Sequence, residues 1–336
     1  MMEGFVTLDC GSGGEKTEEL LNRFIRPYLH NDALDALGDG AVLESTPGRM
    51  AFSTDSFVVQ PLFFPGGDIG KLAVCGTVND VAMCGAIPKW LSLSVILEEG
   101  FPFEQLDRIM RSVGETAKKA GVSIVTGDTK VVEHGKADGI YLNTAGIGRV
   151  VCPGLTPEAI RPGDRVLVTG PVGDHGAAIM LARSELGLEA DLMSDCMPLH
   201  RLAKAAWEAV PGAVRCLRDA TRGGVATTLC EFADGRSFGI ELEEKRIPVR
   251  RTVRGVCELL GLDPLYCANE GRMLCVCAPE AAETILSRLR TEPGGEQAAC
   301  IGTVTERWPG RVTLRGELGA SRILTRLTGA QLPRIC

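Results

Sequence analysis

The chain closes on Gln331-Leu332-Pro333-Arg334-Ile335-Cys336, and the terminal thiol is the first group whose placement suggests chemistry. Cys336 is expected to end the chain, and so not to be packed from both sides. Pro333 fixes one backbone angle, removes a donor and forbids a helix through the tip. Such an end is expected to behave as a mobile tether. About ten extended residues reach roughly 35 Å, enough to carry a thiol between two active sites. A prenylation signal is excluded, because it places the cysteine fourth from the end.

Four acids form a second group. Asp39, Asp55 and Asp80 each sit beside Gly, Ser, Thr or Asn, and Asp219 lies two residues before Thr221. Asp80 is the most informative. Ile69, Leu72, Val74, Val78, Val81, Ala82 and Met83 leave the surrounding helix little polar surface, so the spacing predicts a buried helix. A buried carboxylate must be paired or bind metal, and a salt bridge to a distant Arg or Lys is the plain alternative. Magnesium takes carboxylate oxygens, keeps waters and shares phosphates as ligands.

Two glycine-rich stretches suit the phosphates. Cys10-Gly11-Ser12-Gly13-Gly14-Glu15-Lys16-Thr17 looks like a P-loop but holds Cys10 and Glu15 where that motif needs glycine. Its glycines, with Ser12, are able to wrap backbone N–H groups around phosphate; a plain loop before a helix fits equally. Arg218-Asp219-Ala220-Thr221-Arg222-Gly223-Gly224-Val225 brings an acid and two arginines to a helix start. That suits a phosphate with its magnesium, or an ordinary cap with a surface ion pair. Four acids without a Walker A motif point to a non-P-loop ATP site.

The positioning elements follow from periodicity. A weak strand is expected at 5–8, a helix at 17–28, a turn into a strand at 38–42 and a strand at 50–59. Asp68 caps a helix over 69–85. A strand at 91–97 and an amphipathic helix at 102–120 follow. The strand at 122–126 is expected to deliver Gly127-Asp128-Thr129-Lys130 to the end of a sheet, where small ligands usually bind. A strand at 140–147 closes the first half. The prolines at 153, 157 and 162 mark a boundary. The second half holds a strand at 165–169, helices at 177–186, 255–262 and 280–291, a strand at 273–277 and a hairpin over 302–314. His175 reads as a loop histidine rather than a metal ligand. The resulting organisation is an N-terminal glycine-rich loop and helix (1–40), an ATP-binding and dimerisation domain (41–152), a C-terminal domain (153–325) and a tail (326–336).

Composition bounds the rest. The chain has 336 residues, 45% hydrophobic and 24% charged, with a net charge of −7. That is a soluble globular balance, without the basic cluster of a nucleic-acid surface. The apolar runs are too short for a bilayer and the start lacks a signal-peptide pattern, so cytoplasm is the default. The 13 cysteines include no CxxC pair, which argues against structural zinc. Cys275 and Cys277 alternate along one strand and read as core.

The motifs Gly11-Ser12-Gly13-Gly14, Gly38-Asp39-Gly40, Ser53-Thr54-Asp55-Ser56, Asn79-Asp80-Val81-Ala82, Thr126-Gly127-Asp128-Thr129-Lys130-Val131-Val132, Gly173-Asp174-His175-Gly176, Asp219-Ala220-Thr221-Arg222-Gly223-Gly224 and Asn269-Glu270-Gly271 together resemble one superfamily. It comprises the ATP-dependent synthetases related to aminoimidazole ribonucleotide synthetase and selenophosphate synthetase. With the Pro333-Arg334-Ile335-Cys336 ending, the chain closely resembles the carbamoyl dehydratases of nickel–iron hydrogenase maturation. Cys267 and Arg272 depart from the pattern beside Asn269-Glu270.

The resemblance implies an α+β, two-domain fold, with the N-terminal domains pairing into a dimeric β-barrel and a C-terminal α/β sandwich. It implies ATP and Mg2+, with Asp39, Asp55, Asp80 and Asp219 as metal ligands. Ser12, Gly13, Gly14, Asp128, Thr129, Lys130 and Arg222 would bind the nucleotide. Cys336 would carry the carbamoyl group, Lys130 would neutralise its oxygen or the γ-phosphate, and Glu270 would be the base. The partners would be the carbamoyltransferase HypF and an acceptor, the HypC–HypD complex. The alternatives are a selenophosphate synthetase or thiamine-phosphate kinase on the same scaffold, the former using Cys10, and a passive thiol carrier.

Overall fold

The computed structural model describes residues 4–12, 14–36, 40–44, 47–183, 190–327, 329 and 335. Gly13, Asp39 and Cys336 lie outside the described residues.

The first half builds a sheet from β1 (Met50–Phe57), β2 (Ala86–Glu98), β3 (Ser123–Val132) and β4 (Ile140–Val150). Their order is β1-β4-β2-β3. Within this sheet β2 and β3 run parallel and the other described pairs antiparallel. Burial alternates along β2 and β4, the signature of a sheet packed on one face. Two helices cover that face, α1 (Ile69–Met83) and α2 (Phe103–Ala120). Asp68 caps α1 by accepting from the Lys71 N–H at 3.0 Å, a contact worth about 1 kcal/mol. α1 has no continuous polar face and is almost wholly buried, because α2, the sheet and the second half all pack against it.

The second half holds β5 (Arg165–Val168), α3 (Asp174–Arg183), α4 (His200–Ala209), β6 (Val214–Asp219), α5 (Gly224–Ala233) and β7 (Gly239–Glu243). It continues with α6 (Arg251–Leu260), β8 (Met273–Cys277), α7 (Ala282–Leu289), β9 (Ala299–Thr305), β10 (Val312–Arg315) and β11 (Ser321–Leu324). Its seven strands order as β11-β10-β7-β9-β5-β8-β6. Helices lie on both faces. Leu274 and Val276 of β8 pack with α5 in one core. Met273, Cys275 and Cys277 pack with α4 and α7 in another. A strand buried on both sides has no polar face to show, which explains its unbroken Met-Leu-Cys-Val-Cys run.

The first sheet is open among the described residues, so a barrel of the expected kind would need a second copy to close it. Several expectations need correcting. Gly127–Lys130 does not follow a strand but lies inside β3, opposite Leu93–Ile96. β3 is an edge strand, which leaves the motif's other side open. No strand forms at 40–44, and Phe5 makes only an isolated bridge to Pro102. The segment 302–314 is no hairpin: β7 sits between β9 and β10 and pairs with both. His175 is not on a loop but fully buried in the first turn of α3.

Candidate active site

Three of the acids converge from three elements. The Ser53 and Asp55 side chains share one face of β1, beneath α1. Ser53 donates its hydroxyl to Asp80 Oδ2 at 2.8 Å. Asp219 ends β6 and stands opposite Met273 of β8. Asp55, Asp80 and Asp219 line a cavity of about 600 Å3, with Arg218, Thr221 and Arg222 on its rim. Arg222 Nη2 lies 3.9 Å from Asp55 Oδ1, a loose and exposed pair that contributes little.

Burial first, and Asp55 second, push the Asp80 carboxyl above its ordinary value, against the Ser53 hydrogen bond and the charges of Arg218 and Arg222. Burial and then Asp80 push Asp219 up to about 7. The cluster is therefore short of positive charge. Among the described residues no three His, Cys, Asp or Glu groups converge closely enough to hold a metal alone. An all-oxygen set that crowds like charges still fits magnesium, which completes its shell with water and phosphate oxygens.

Glu270 lies near enough to this cluster for Asp219 and Asp55 to act on its carboxyl. Its backbone is fixed from several directions. Its N–H donates to Asp195 Oδ1 at 2.9 Å, and its carbonyl accepts from Met197 N at 3.3 Å. Asn79, the neighbour of Asp80 on α1, donates to Met197 O at 3.2 Å and Glu270 O at 3.4 Å. The Asn79 side-chain oxygen, Oδ1, accepts from Leu199 N at 2.7 Å. A buried helical asparagine thus joins the two halves beside the acid cluster. A Cβ on Gly271 would fall 1.8 Å from Asp195 O, so only glycine allows this approach. The Glu270 side chain is buried, and its Oε1 has no hydrogen-bond partner among the described residues. Burial pushes its carboxyl well above the ordinary range, with Cys196, Asp219 and Asp195 adding to the effect.

A second cavity, of about 450 Å3, is lined by Ser12, Thr17, Gly40, Asp128, Thr129 and Lys130. Lys130 Nζ lies 3.3 Å from Asp128 Oδ1, and both are exposed. Gly14 N-caps the first helical turn at Glu15–Leu20. The residues singled out in the sequence thus fall into two groups. Ser12 and Asp128–Lys130 share one cavity, while Asp55, Asp80, Asp219 and Arg222 share the other. Cys10 is buried beneath Thr7, with its Sγ 3.5 Å from the hydroxyl, a poor setting for a nucleophile.

Sequence reasoning missed an ionic knot behind Glu270. Arg272 is buried between Asp174 Oδ2 at 3.7 Å and Asp195 Oδ2 at 3.5 Å. It also donates to Pro171 O, Gly271 O and Gly294 O. The signal was the arginine flanking Asn269-Glu270-Gly271, which read as a departure rather than a brace. His175 was missed as well. Its Nε2 reaches the carbonyl oxygen of Ile335 at 2.7 Å, and the Ile335 side chain is buried in the main apolar cluster.

Comparison with known proteins assigns the class. Residues 37–150 match the family model "AIR synthase related protein, N-terminal domain", and 161–315 match the corresponding C-terminal domain. The fold is thus the two-domain α+β architecture of AIR synthase related proteins. Carbamoyl dehydratase HypE of Azotobacter vinelandii is 50% identical over 338 residues, covering 100% of this chain and 98% of that one. The crystal structure of hydrogenase maturation protein HypE in complex with ATP superposes with a TM-score of 0.93 at 46% identity, over 98% of this chain and 99% of that one. HypE in a HypE–HypF complex gives a TM-score of 0.80 at 43% identity, over 94% and 100%. The chain belongs to the HypE carbamoyl dehydratase family.

Proposed function

We propose that the chain is an ATP-dependent carbamoyl dehydratase of hydrogenase maturation that works on a group carried by its own Cys336. One observation carries the reading: Ile335, the residue before Cys336, is buried and held by His175 in the half of the molecule that also presents Glu270.

The reaction follows from what an amide resists. Cys336 thiolate takes a carbamoyl group, giving S–C(=O)–NH2. Conversion to S–C≡N requires loss of the oxygen, a poor leaving group. Attack of the carboxamide oxygen on the γ-phosphorus of ATP expels ADP and converts that oxygen into a phosphate ester. Glu270 takes one N–H proton as this occurs. The second N–H proton is lost as the C–O bond breaks, phosphate leaves and the nitrile forms. The atoms of water depart as part of inorganic phosphate and its protons. Catalysis rests on positioning and charge neutralisation, as in other phosphoryl transfers.

Ser12, Gly13 and Gly14, with Asp128 and Thr129, would cradle the nucleotide phosphates. Lys130 would offset charge on the γ-phosphate or carboxamide oxygen, and Arg222 would meet phosphate from the other domain. Asp39, Asp55, Asp80 and Asp219 would hold Mg2+. Bound there, the ion would supply positive charge that neutralises phosphate oxygens and offsets the burial and like-charge crowding that raise the Asp219 and Glu270 carboxyls. The cyano group would pass to a HypC–HypD acceptor, after HypF supplies the carbamoyl group. The chain's domains would run over 41–152 and 153–325, between the N-terminal loop and helix (1–40) and the tail (326–336).

Intact-mass spectrometry tests this directly. Incubation with the carbamoyl donor system should add one carbamoyl group to Cys336 without ATP in the second step. Mg-ATP should then remove the mass of one water. An adduct that never dehydrates would leave a thiol carrier, and no adduct on Cys336 would sink the reading.

We further propose a homodimer through the first sheet. Its uncovered face presents Phe52, 69% exposed, with Met50 on β1 and Ile87 and Ile96 on β2. Phe52 stands opposite Ile147, which stands opposite Trp90, so an apolar band crosses three strands. A second copy, placing its own face on this one, would cover the band. Phe52→Glu should convert the dimer to monomer in light scattering with the fold intact by circular dichroism. A monomeric parent chain, or a dimer unmoved by the substitution, would refute the placement.

A further inference from the structure

The contacts of His175 define a directed hydrogen-bond chain. A carbonyl only accepts, so the 2.7 Å contact to Ile335 O requires the proton on Nε2. In the neutral ring Nδ1 is then an acceptor. It lies 2.8 Å from Ser194 Oγ, which therefore donates. Ser194 Oγ in turn accepts from the Cys196 N–H at 3.1 Å. Burial keeps the ring neutral, pushing its pKa down to about 4 against the opposing pull of the Ile335 carbonyl. Phe64 packs edge-on against the ring, centroids 5.5 Å apart. The serine is itself fixed to the first half: its N–H donates to Pro65 O at 2.8 Å. A Cβ on Gly66, at φ +93°, would stand 2.7 Å from Ser194 O.

We infer that His175 and Ser194 form a latch that seats the C-terminal tail by the last carbonyl before the reactive thiol. Ser194 sets the tautomer, His175 holds the carbonyl, and the buried Ile335 side chain supplies the apolar anchor. His175 is a positioning residue: it acts on Cys336 through the backbone of Ile335. Its role in turnover rests on the function proposed above, but the latch itself is measurable without it.

The test uses the full chain, His175→Ala, His175→Gln, Ser194→Ala, and a chain lacking Ile335 and Cys336. Alkylation of Cys336 by iodoacetamide, read by peptide mass mapping, reports release of the tail. A net neutral hydrogen bond is worth a factor of about 2–10. His175→Ala should accelerate Cys336 alkylation by about that factor, and Ser194→Ala by less. His175→Gln, which keeps an N–H donor, should recover part of the protection. If the alanine variant fails to fold, the Gln and Ser194 variants carry the comparison. In thermal melts, the loss caused by His175→Ala should shrink in the truncated chain, because the two changes share one contact. Dehydration kcat should fall in the same order as protection, with the KM for ATP unchanged. Unaltered alkylation in a folded variant, or an equal melting loss with and without the tail, would reduce His175 to a core residue and overturn the latch. Protection that follows the predicted order in a chain that never dehydrates would keep the latch and refute the function.

Discussion

Glu270→Gln should trap the carbamoyl form of Cys336. The substitution keeps shape and burial, and removes only the group able to take an amide proton. A general base contributes a factor of about 10²–10⁴, so dehydration should fall by that much. Loading of Cys336, read by intact mass, should proceed unchanged, and the adduct should persist in the presence of Mg-ATP. The parent should also show a distinctive pH profile. Burial and nearby acids hold the Glu270 carboxyl well above its ordinary range. The active base is its ionised form, so the dehydration rate should climb as pH rises through that raised value. The Gln variant should lose this limb. Equal dehydration rates in the two chains would place the base elsewhere in the acid cluster.

Asp219→Asn should stabilise the metal-free protein while stopping turnover. Asp219 moves from 3.8 to about 7 on folding, so the folded state binds its proton more tightly than the unfolded chain. Its stabilising contribution is complete below pH 3.8 and is lost as pH rises through 7. The full span corresponds to at most about 4 kcal/mol. Without Mg2+, urea unfolding should therefore show the variant gaining on the parent between pH 5 and 8. Adding Mg2+ at pH 8 should stabilise the parent more than the variant, because an ion that binds only the native state shifts folding by mass action. Dehydration should drop by at least about 10², given the size of lost charge stabilisation at such sites. A variant less stable than the parent at pH 8 without metal would mean that Asp219 is already compensated by a partner.

These results would turn on residues of unequal visibility in the sequence. Asp80 was legible because its helix had no polar face on which to place a carboxylate. Asp219 and Arg222 were legible as an acid and a base at a glycine-rich helix start. β1, β5 and β8 were found by their apolar runs, but β6, which ends in Asp219, and β7 were not. The position of Gly127–Lys130 inside β3 was not legible. Glycine and aspartate weaken a strand, and only pairing with β2 on one side overrides that. The false hairpin at 302–314 has a similar origin, since no local pattern reveals that β7, some sixty residues earlier in the chain, inserts between its arms. Asn79, Arg272 and His175 escaped for a common reason. Each is a polar residue whose partners come from the other half, from a distant loop or from the tail. Periodicity reports which face is buried, not what a buried polar group meets.

Burial of the thiols has one more consequence, for chemoselectivity. Twelve free cysteines are described, and nine are buried. Desolvation pushes Cys216 up to about 12 and Cys230 up to about 11. A hydrogen bond to Cys277 and burial raise Cys275 well above the ordinary thiol. Even the exposed Cys84 is raised, by partial desolvation and by Asp80. Only the thiolate is a nucleophile, so at neutral pH a group like Cys216 is ionised about once in 10⁵ molecules. A carbamoyl donor approaching this surface meets few competitors. Cys257 runs the other way, lowered by its hydrogen bond with Cys267, but it is buried. Under the proposed function, Cys336 would therefore compete mostly with thiols kept unreactive by burial or by a raised pKa.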